Sequence, residues 1–91
     1  MISVIFPTFN AAETLPRALS PLVSGVAAGV VKEAIVADGG SDDETAIVAE
    51  AAGCALVRAS HNRAAQLSAG AKAARGDWLL ILEPDTVLCE G

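Results

Sequence analysis

The feature that most narrows the fold is an alternation of short apolar runs with segments of helical spacing. Ile2–Phe6, Glu33–Ala37, Cys54–Arg58 and Trp78–Leu82 read as strands. Pro7 ends the first run, Asp38-Gly39-Gly40 breaks the second, and Pro84 stops the fourth. Between them lie three helical segments. Asn10 followed by Glu13 has capping-box spacing and predicts a helix from about Ala11, with Leu15, Ala18, Leu19 and Leu22 at helical intervals. Pro16 is tolerable close to the first turn, Pro21 should weaken or end the helix, and Gly25–Gly29 reads as loop. Ser41 with Glu44 repeats the capping spacing, predicting a helix over Asp42–Ala52 with Gly53 just past its end. Asn62 is placed to cap a third helix over Arg63–Ala74, with Gly76 beyond it.

The order β-α-β-α-β-α-β predicts an α/β fold: a three-layer sandwich around a mainly parallel sheet with right-handed crossovers. A chain of 91 residues makes one domain, and 53% apolar against 19% charged residues argues for a folded one. Ala and Val supply most of that apolar content, which suits helices packed closely on buried parallel strands. In open sheets of this kind ligands bind beyond the carboxyl ends of the strands. The segments Pro7–Asn10, Asp38–Asp43, Ala59–Arg63 and Glu83–Thr86 should therefore share one edge.

Charge and motifs exclude several functions. A net charge of −5 opposes general nucleic-acid binding, which needs a basic face to neutralise phosphates. Cys54 and Cys89 form no CxxC pair and the single histidine, His61, has no Cys neighbour, so a zinc site is not expected. Both cysteines read as buried free thiols, and His61 as a loop residue. There is no basic, apolar leader and no uncharged stretch long enough to span a bilayer, so the expectation is a soluble, cytoplasmic protein. Neither GxGxxG nor GxxxxGK[ST] is present, which removes the usual dinucleotide and P-loop readings.

The shared edge carries chemistry of another kind. Glu83 and Asp85 flank Pro84, and paired carboxylates are hard oxygen ligands suited to Mg²⁺ or Mn²⁺ held together with substrate phosphates. Such a metal would stabilise charge developing on a departing diphosphate. Asp38, at a strand end before two glycines, could accept hydrogen bonds from a base or ribose. Arg63 could pair with phosphate or a base carbonyl, and Phe9 could offer a flat face to a base. Gln66 lies on the same predicted edge. Taken singly, Asp38 reads as a turn residue, Glu83-Pro84-Asp85 as solvated loop, Arg63 as a surface charge, and Asn10 and Ser41 as helix caps. Their placement on one edge is what gives them weight.

Three strings then resemble one family. S-V-I-F-P-T-F-N-A-A-E-T-L at Ser3–Leu15 resembles the opening of family 2 glycosyltransferases. V-A-D-G-G-S-D-D-E-T at Val36–Thr45 is similar to their second-strand motif, and Asn62–Thr86 to the block ending in their DxD-type metal motif. The D-G-G-S and R-A-A-Q forms are especially similar to a bacterial, arsenosugar-type subgroup. The resemblance implies a GT-A fold, a nucleotide-diphosphate sugar such as a UDP-sugar as donor, a divalent metal and an acceptor of unspecified kind. By position, Pro7, Thr8, Phe9 and Asn10 would line the donor pocket, Asp38 would hold the base with Arg63 close by, and Asp85 would coordinate the metal. Glu83 stands first in a motif that reads Glu-Pro-Asp where the family commonly has Asp-x-Asp. Because many relatives act on lipid-linked acceptors, peripheral membrane association is also implied.

In the family, the acceptor site and the general base lie beyond the position of Gly91. The expectation is therefore the N-terminal, donor-binding portion, residues 1–91, without the acceptor portion. Two other readings compete. A non-catalytic nucleotide-sugar-binding module would need a partner or the missing half. A phospho-receiver domain would want acidic residues after the first strand and an aspartate after the third, where Pro7-Thr8-Phe9-Asn10 and Ala59-Ser60-His61 stand.

Overall fold

A computed structural model describes residues 1–84. The elements run β1 (Ile2–Thr8), α1 (Leu15–Leu19), α2 (Leu22–Ala27), β2 (Val31–Asp38), α3 (Thr45–Ala51), β3 (Ala55–Arg58), α4 (Arg63–Ala73) and β4 (Trp78–Ile81). The four strands form one sheet in the order β3-β2-β1-β4, parallel throughout. Two crossovers step outward from β1 to β3, and the third returns past β1 to β4. Right-handed crossovers therefore put α1–α3 on one face and α4 on the other. The order reverses between β1 and β4, which opens a crevice at their carboxyl ends.

The core follows from the period-2 alternation of β1. Val4 and Phe6 pack with Leu15, Ala18, Val31, Val36 and Ala49 beneath α1–α3. Burial of the Val, Leu and Phe side chains among these stabilises by about 1.5–3 kcal/mol each. Ile5 faces the other way, under α4, so closely that a Cβ on Gly70 would fall 2.6 Å from Ile5 Cγ2.

Several expectations need correction. β1 runs through Pro7 to Thr8 instead of ending at Pro7. Leu82 N–H donates to Ile5 O, so the odd-numbered residues of β1 turn their backbone groups toward β4. Pairing with β4 ends at Ile5, so the N–H that Pro7 lacks costs no ladder bond. The first helix starts at Leu15, not Ala11; it ends before Pro21 as expected, but Pro21 then caps a second short helix, α2. Gly25 is helical, not loop, and the glycine fits there because α2 passes so near β2 that a Cβ would lie 2.8 Å from Val31 Cγ2.

Neither predicted capping box at the first two helices forms. Asn10 adopts a left-handed φ of 51° and turns its side chain to the β2–α3 loop, accepting from Asp42 N–H at 2.8 Å. Ser41 is likewise drawn back to Asp38, and α3 begins only at Thr45, whose N–H and hydroxyl both donate to Asp43. Gly53 and Asn62 behave as predicted. Gly53 ends α3 at φ 82°, and Asn62 Oδ1 caps α4 by accepting from Ala65 N–H at 3.1 Å.

β4 departs from the expectation of buried strands. Trp78, Leu79, Leu80 and Ile81 are 72%, 48%, 43% and 42% exposed, because β4 is an edge strand and α4 packs on β1, β2 and β3. Cys54 is a free thiol, half-buried instead of buried, and burial pushes its pKa up. Cys89 lies outside the described residues. Among those described, no helix is long and apolar enough to cross a membrane.

Candidate functional site

At the β1/β4 crevice lies an open cleft of about 490 Å³. Pro7, Thr8, Phe9 and Asn10 enter it from the end of β1, Arg63 from the start of α4, and Glu83 from beyond β4. Six of the residues expected at the site thus surround one cavity. Asp85, the expected principal metal ligand, lies outside the described residues.

Asp38 is placed differently from its sequence neighbours. It does not line the cleft, and it is only 3% exposed. Its Oδ1 accepts from the hydroxyls of Thr8 and Ser41, and its Oδ2 from the N–H groups of Gly40 and Ser41 at 3.1 and 2.8 Å. Burial works to raise the Asp38 pKa, but the bonds from Ser41, Thr8 and Gly40 outweigh it and hold the carboxyl below its ordinary value. The carboxylate thus ties the end of β1 to the loop after β2.

That loop in turn clamps the start of the β1–α1 segment. Asn10 N–H donates to Ser41 Oγ at 2.8 Å, Ala11 N–H to Thr45 Oγ1 at 2.8 Å, and Ala12 N–H to Asp43 Oδ2 at 3.1 Å. Asp43 is also held below its ordinary pKa, chiefly by the Thr45 hydroxyl. Glu33, at the opposite end of the sheet, is lowered as well: burial raises it, but bonds from Arg75 N–H and Ser3 Oγ prevail.

These shifts fix the sign of an acid response. A carboxyl depressed in the folded state contributes stability above its unfolded pKa and loses it as pH falls through the folded value. The urea midpoint should therefore hold steady above the ordinary values of 3.8 for aspartate and 4.5 for glutamate. It should decline as pH drops below them, which circular dichroism at a series of pH values would measure.

Two further residues complete the cleft: Gln66, which the sequence placed on this edge without a role, and His61, which it read as a loop residue. Gln66, 5% exposed, donates from Nε2 to Thr8 O at 2.8 Å and to Ala37 O at 3.0 Å, pinning the ends of β1 and β2 together. His61 stacks on Phe9 with ring centroids 3.8 Å apart and planes 7° from parallel. The helical position of Gln66 on the binding edge was a visible signal. Nothing local marked His61, because its partner is more than fifty residues away in sequence.

Arg63 and Glu83 meet across the rim, Nη1 to Oε2 at 2.6 Å. Both are well exposed, so the pair adds only about 0–1 kcal/mol of stability. No group of three acidic, histidine or cysteine side chains forms a metal cluster among the described residues. Glu83 is the one described carboxylate lining the cleft. That donor set suits a hard cation brought in with a diphosphate, since Mg²⁺ sites commonly use one or two carboxylates plus substrate phosphates. It does not suit a closed protein cage.

Comparison with known proteins decides the family. The sequence matches glycosyl transferase family 2 over residues 3–90. The chain belongs to this family. Its fold also matches the Mycobacterium tuberculosis glucosyl-3-phosphoglycerate synthase, with a TM-score of 0.79 and 30% identity over 96% of this chain and 35% of that one. The same enzyme in complex with Mn²⁺ and UDP-glucose gives a TM-score of 0.79 at 30% identity, over 96% of this chain and 34% of that one. A further mycobacterial protein gives 0.78 at 32% identity, over 93% of this chain and 31% of that one. This glycosyltransferase family 2 chain thus has the GT-A arrangement, a parallel sheet flanked by helices, and spans about a third of the length of these solved relatives. No curated protein sequence matches it.

Proposed function

We propose that this chain binds a nucleoside-diphosphate sugar in the cleft at the β1/β4 crevice, as the donor-binding part of a metal-assisted glycosyltransferase. One observation carries the reading. A flat aromatic face, a guanidinium and a carboxylate, from Phe9, Arg63 and Glu83, converge on a single cavity at the sheet's switch point. In this reading Phe9 takes the base and Pro7 and Thr8 form the floor. Arg63 turns from Glu83 toward phosphate, a guanidinium being suited to bidentate contact. Asp38 acts from behind the wall, by holding the β2–α3 loop that clamps Asn10. Glu83 and Asp85 would hold a divalent cation, Mn²⁺ or Mg²⁺, which when bound stabilises charge on the departing diphosphate. The chain's own residues position the donor.

The solved relative has been captured with Mn²⁺, UDP and phosphoglyceric acid, which supports a UDP-sugar as donor class and a small anionic acceptor as one candidate. The D-G-G-S and R-A-A-Q strings favour the arsenosugar-type subgroup within the family.

A calorimetric titration of the chain with UDP and GDP, with and without Mn²⁺, tests the reading. Binding of UDP that strengthens with Mn²⁺ is expected. Arg63→Ala should weaken that binding about tenfold or more, as expected for loss of a charge-assisted contact. A folded chain that binds neither nucleotide, with or without metal, would refute the proposal.

A further inference from the structure

Aromatic pairs prefer offset-stacked or edge-to-face arrangements, and a stacked pair covers one face of each ring. Phe9 is 40% exposed and His61 is exposed, yet they stack almost parallel inside the cleft. Resting on the donor-site reading, we infer that His61 occupies the face of Phe9 on which the donor's base stacks, so that the base binds by taking the imidazole's place. His61 then sets the affinity for the base, because a ligand carrying a flat ring must displace the imidazole whereas a ligand without one need not.

The alternative arrangement, a base slipped between the two rings, is opposed by the backbone. The centroid gap is 3.8 Å, and a third ring between them would need about twice that. Spreading the rings would require the loop to move, and the loop is tied on both sides of His61. Before it, Ala59 N–H donates to Asp38 O at 2.9 Å. After it, Asn62 is committed as the cap of α4. The His61 Cα itself rests against Gly39, where a Cβ would come within 3.0 Å of it. Rotation of an exposed imidazole about its side-chain bonds disturbs none of these contacts.

Exchange also makes energetic sense. A base arriving on Phe9 restores the stacking that the imidazole gives up, so ring-bearing ligands lose little. A ligand without a ring, such as inorganic pyrophosphate, leaves the pair intact and gains nothing from its removal.

The chain's single histidine makes the test direct, because its ring protons are unambiguous in an NMR spectrum. Stacked on Phe9, they should resonate upfield, and Phe9→Leu should release them. Saturation with UDP and diamagnetic Mg²⁺ should move them downfield toward the values in that variant. In parallel, His61→Ala should bind UDP about three- to tenfold more tightly, in keeping with the worth of an aromatic pair, with pyrophosphate affinity unchanged. Ring protons that shift further upfield or stay fixed while other resonances report UDP binding would overturn the inference alone, as would weaker UDP binding by His61→Ala. A spectrum in which UDP moves no resonance at all would overturn the donor site and the inference with it.

Discussion

Asp38→Ala is expected to lower the unfolding free energy by about 3 kcal/mol, measured by urea denaturation, although the side chain never meets solvent at the cleft. The substitution strands two hydroxyls and two backbone N–H groups that all end on one carboxylate. Buried donors without partners cost about 1–3 kcal/mol each, and relaxation toward water recovers part of the sum. Asp38→Asn should cost much less, about 1 kcal/mol. Its amide oxygen can keep the two N–H groups while its NH₂ faces Thr8 and Ser41, whose hydroxyls can rotate to accept. The difference between the two variants isolates the hydrogen bonds from the packing. UDP affinity should fall with Asp38→Ala, because Ser41 and Asp43 lose the anchor from which they hold Asn10 and Ala12. Equal stability of the Ala variant and the unsubstituted chain would mean that the loop holds its shape without the carboxylate.

The sequence made the alternation of strands and helices legible, and the edge on which the cleft lies, and the reason is the strength of particular signals. Alternation of apolar runs with capped segments leaves few topologies once right-handed crossovers are imposed. Gly53 and Asn62 sit where only a helix end makes sense of them, and both do what their types predict. The misreadings share one physical cause, which is competition from tertiary partners. Asn10 and Ser41 are capping residues by type, but each finds a partner in the other's loop, so the helices they would have opened start later. Asp38 was legible as a carboxylate at a strand end, but not its four donors, three of which come from a turn that the same residue creates. Gly25 was read as a breaker from local propensity, while its real constraint is the side chain of Val31 across the helix–strand contact. The exposure of β4 depended on which strands α4 covers, and its apolar sequence gave no hint of that.

Gln66→Glu, one atom's change in chemistry, should destabilise the chain by about 3 kcal/mol at pH 8 and by progressively less as the solution is acidified. The amide's two N–H groups are both spent on carbonyl oxygens, Thr8 O and Ala37 O. An ionised carboxylate there presents only acceptors to acceptors, in a position 5% exposed. Its protonated form regains one donor, so the folded state raises the pKa of the new group above its unfolded value. The folded state then binds more protons than the unfolded one, and the variant's stability relative to the unsubstituted chain rises as pH falls through the folded pKa. That slope is opposite in sign to the acid response of the native carboxyls Asp38 and Glu33, whose pKa values are lowered. Gln66→Leu supplies the control. It should cost about 1 kcal/mol, the worth of the lost side-chain bonds, and the cost should not vary between pH 8 and pH 5. Both carbonyls keep a backbone partner: Gly39 N–H donates to Thr8 O at 2.9 Å, and the Thr8↔Asp38 pairing of β1 with β2 brings Thr8 N–H to Ala37 O. If urea midpoints of Gln66→Glu and Gln66→Leu ran parallel over that range, the amide would not be bridging the two strands. If they converge as predicted, one buried side chain bridges the ends of β1 and β2 at the cleft, and both variants should bind UDP more weakly because Thr8, which lines it, loses that tie.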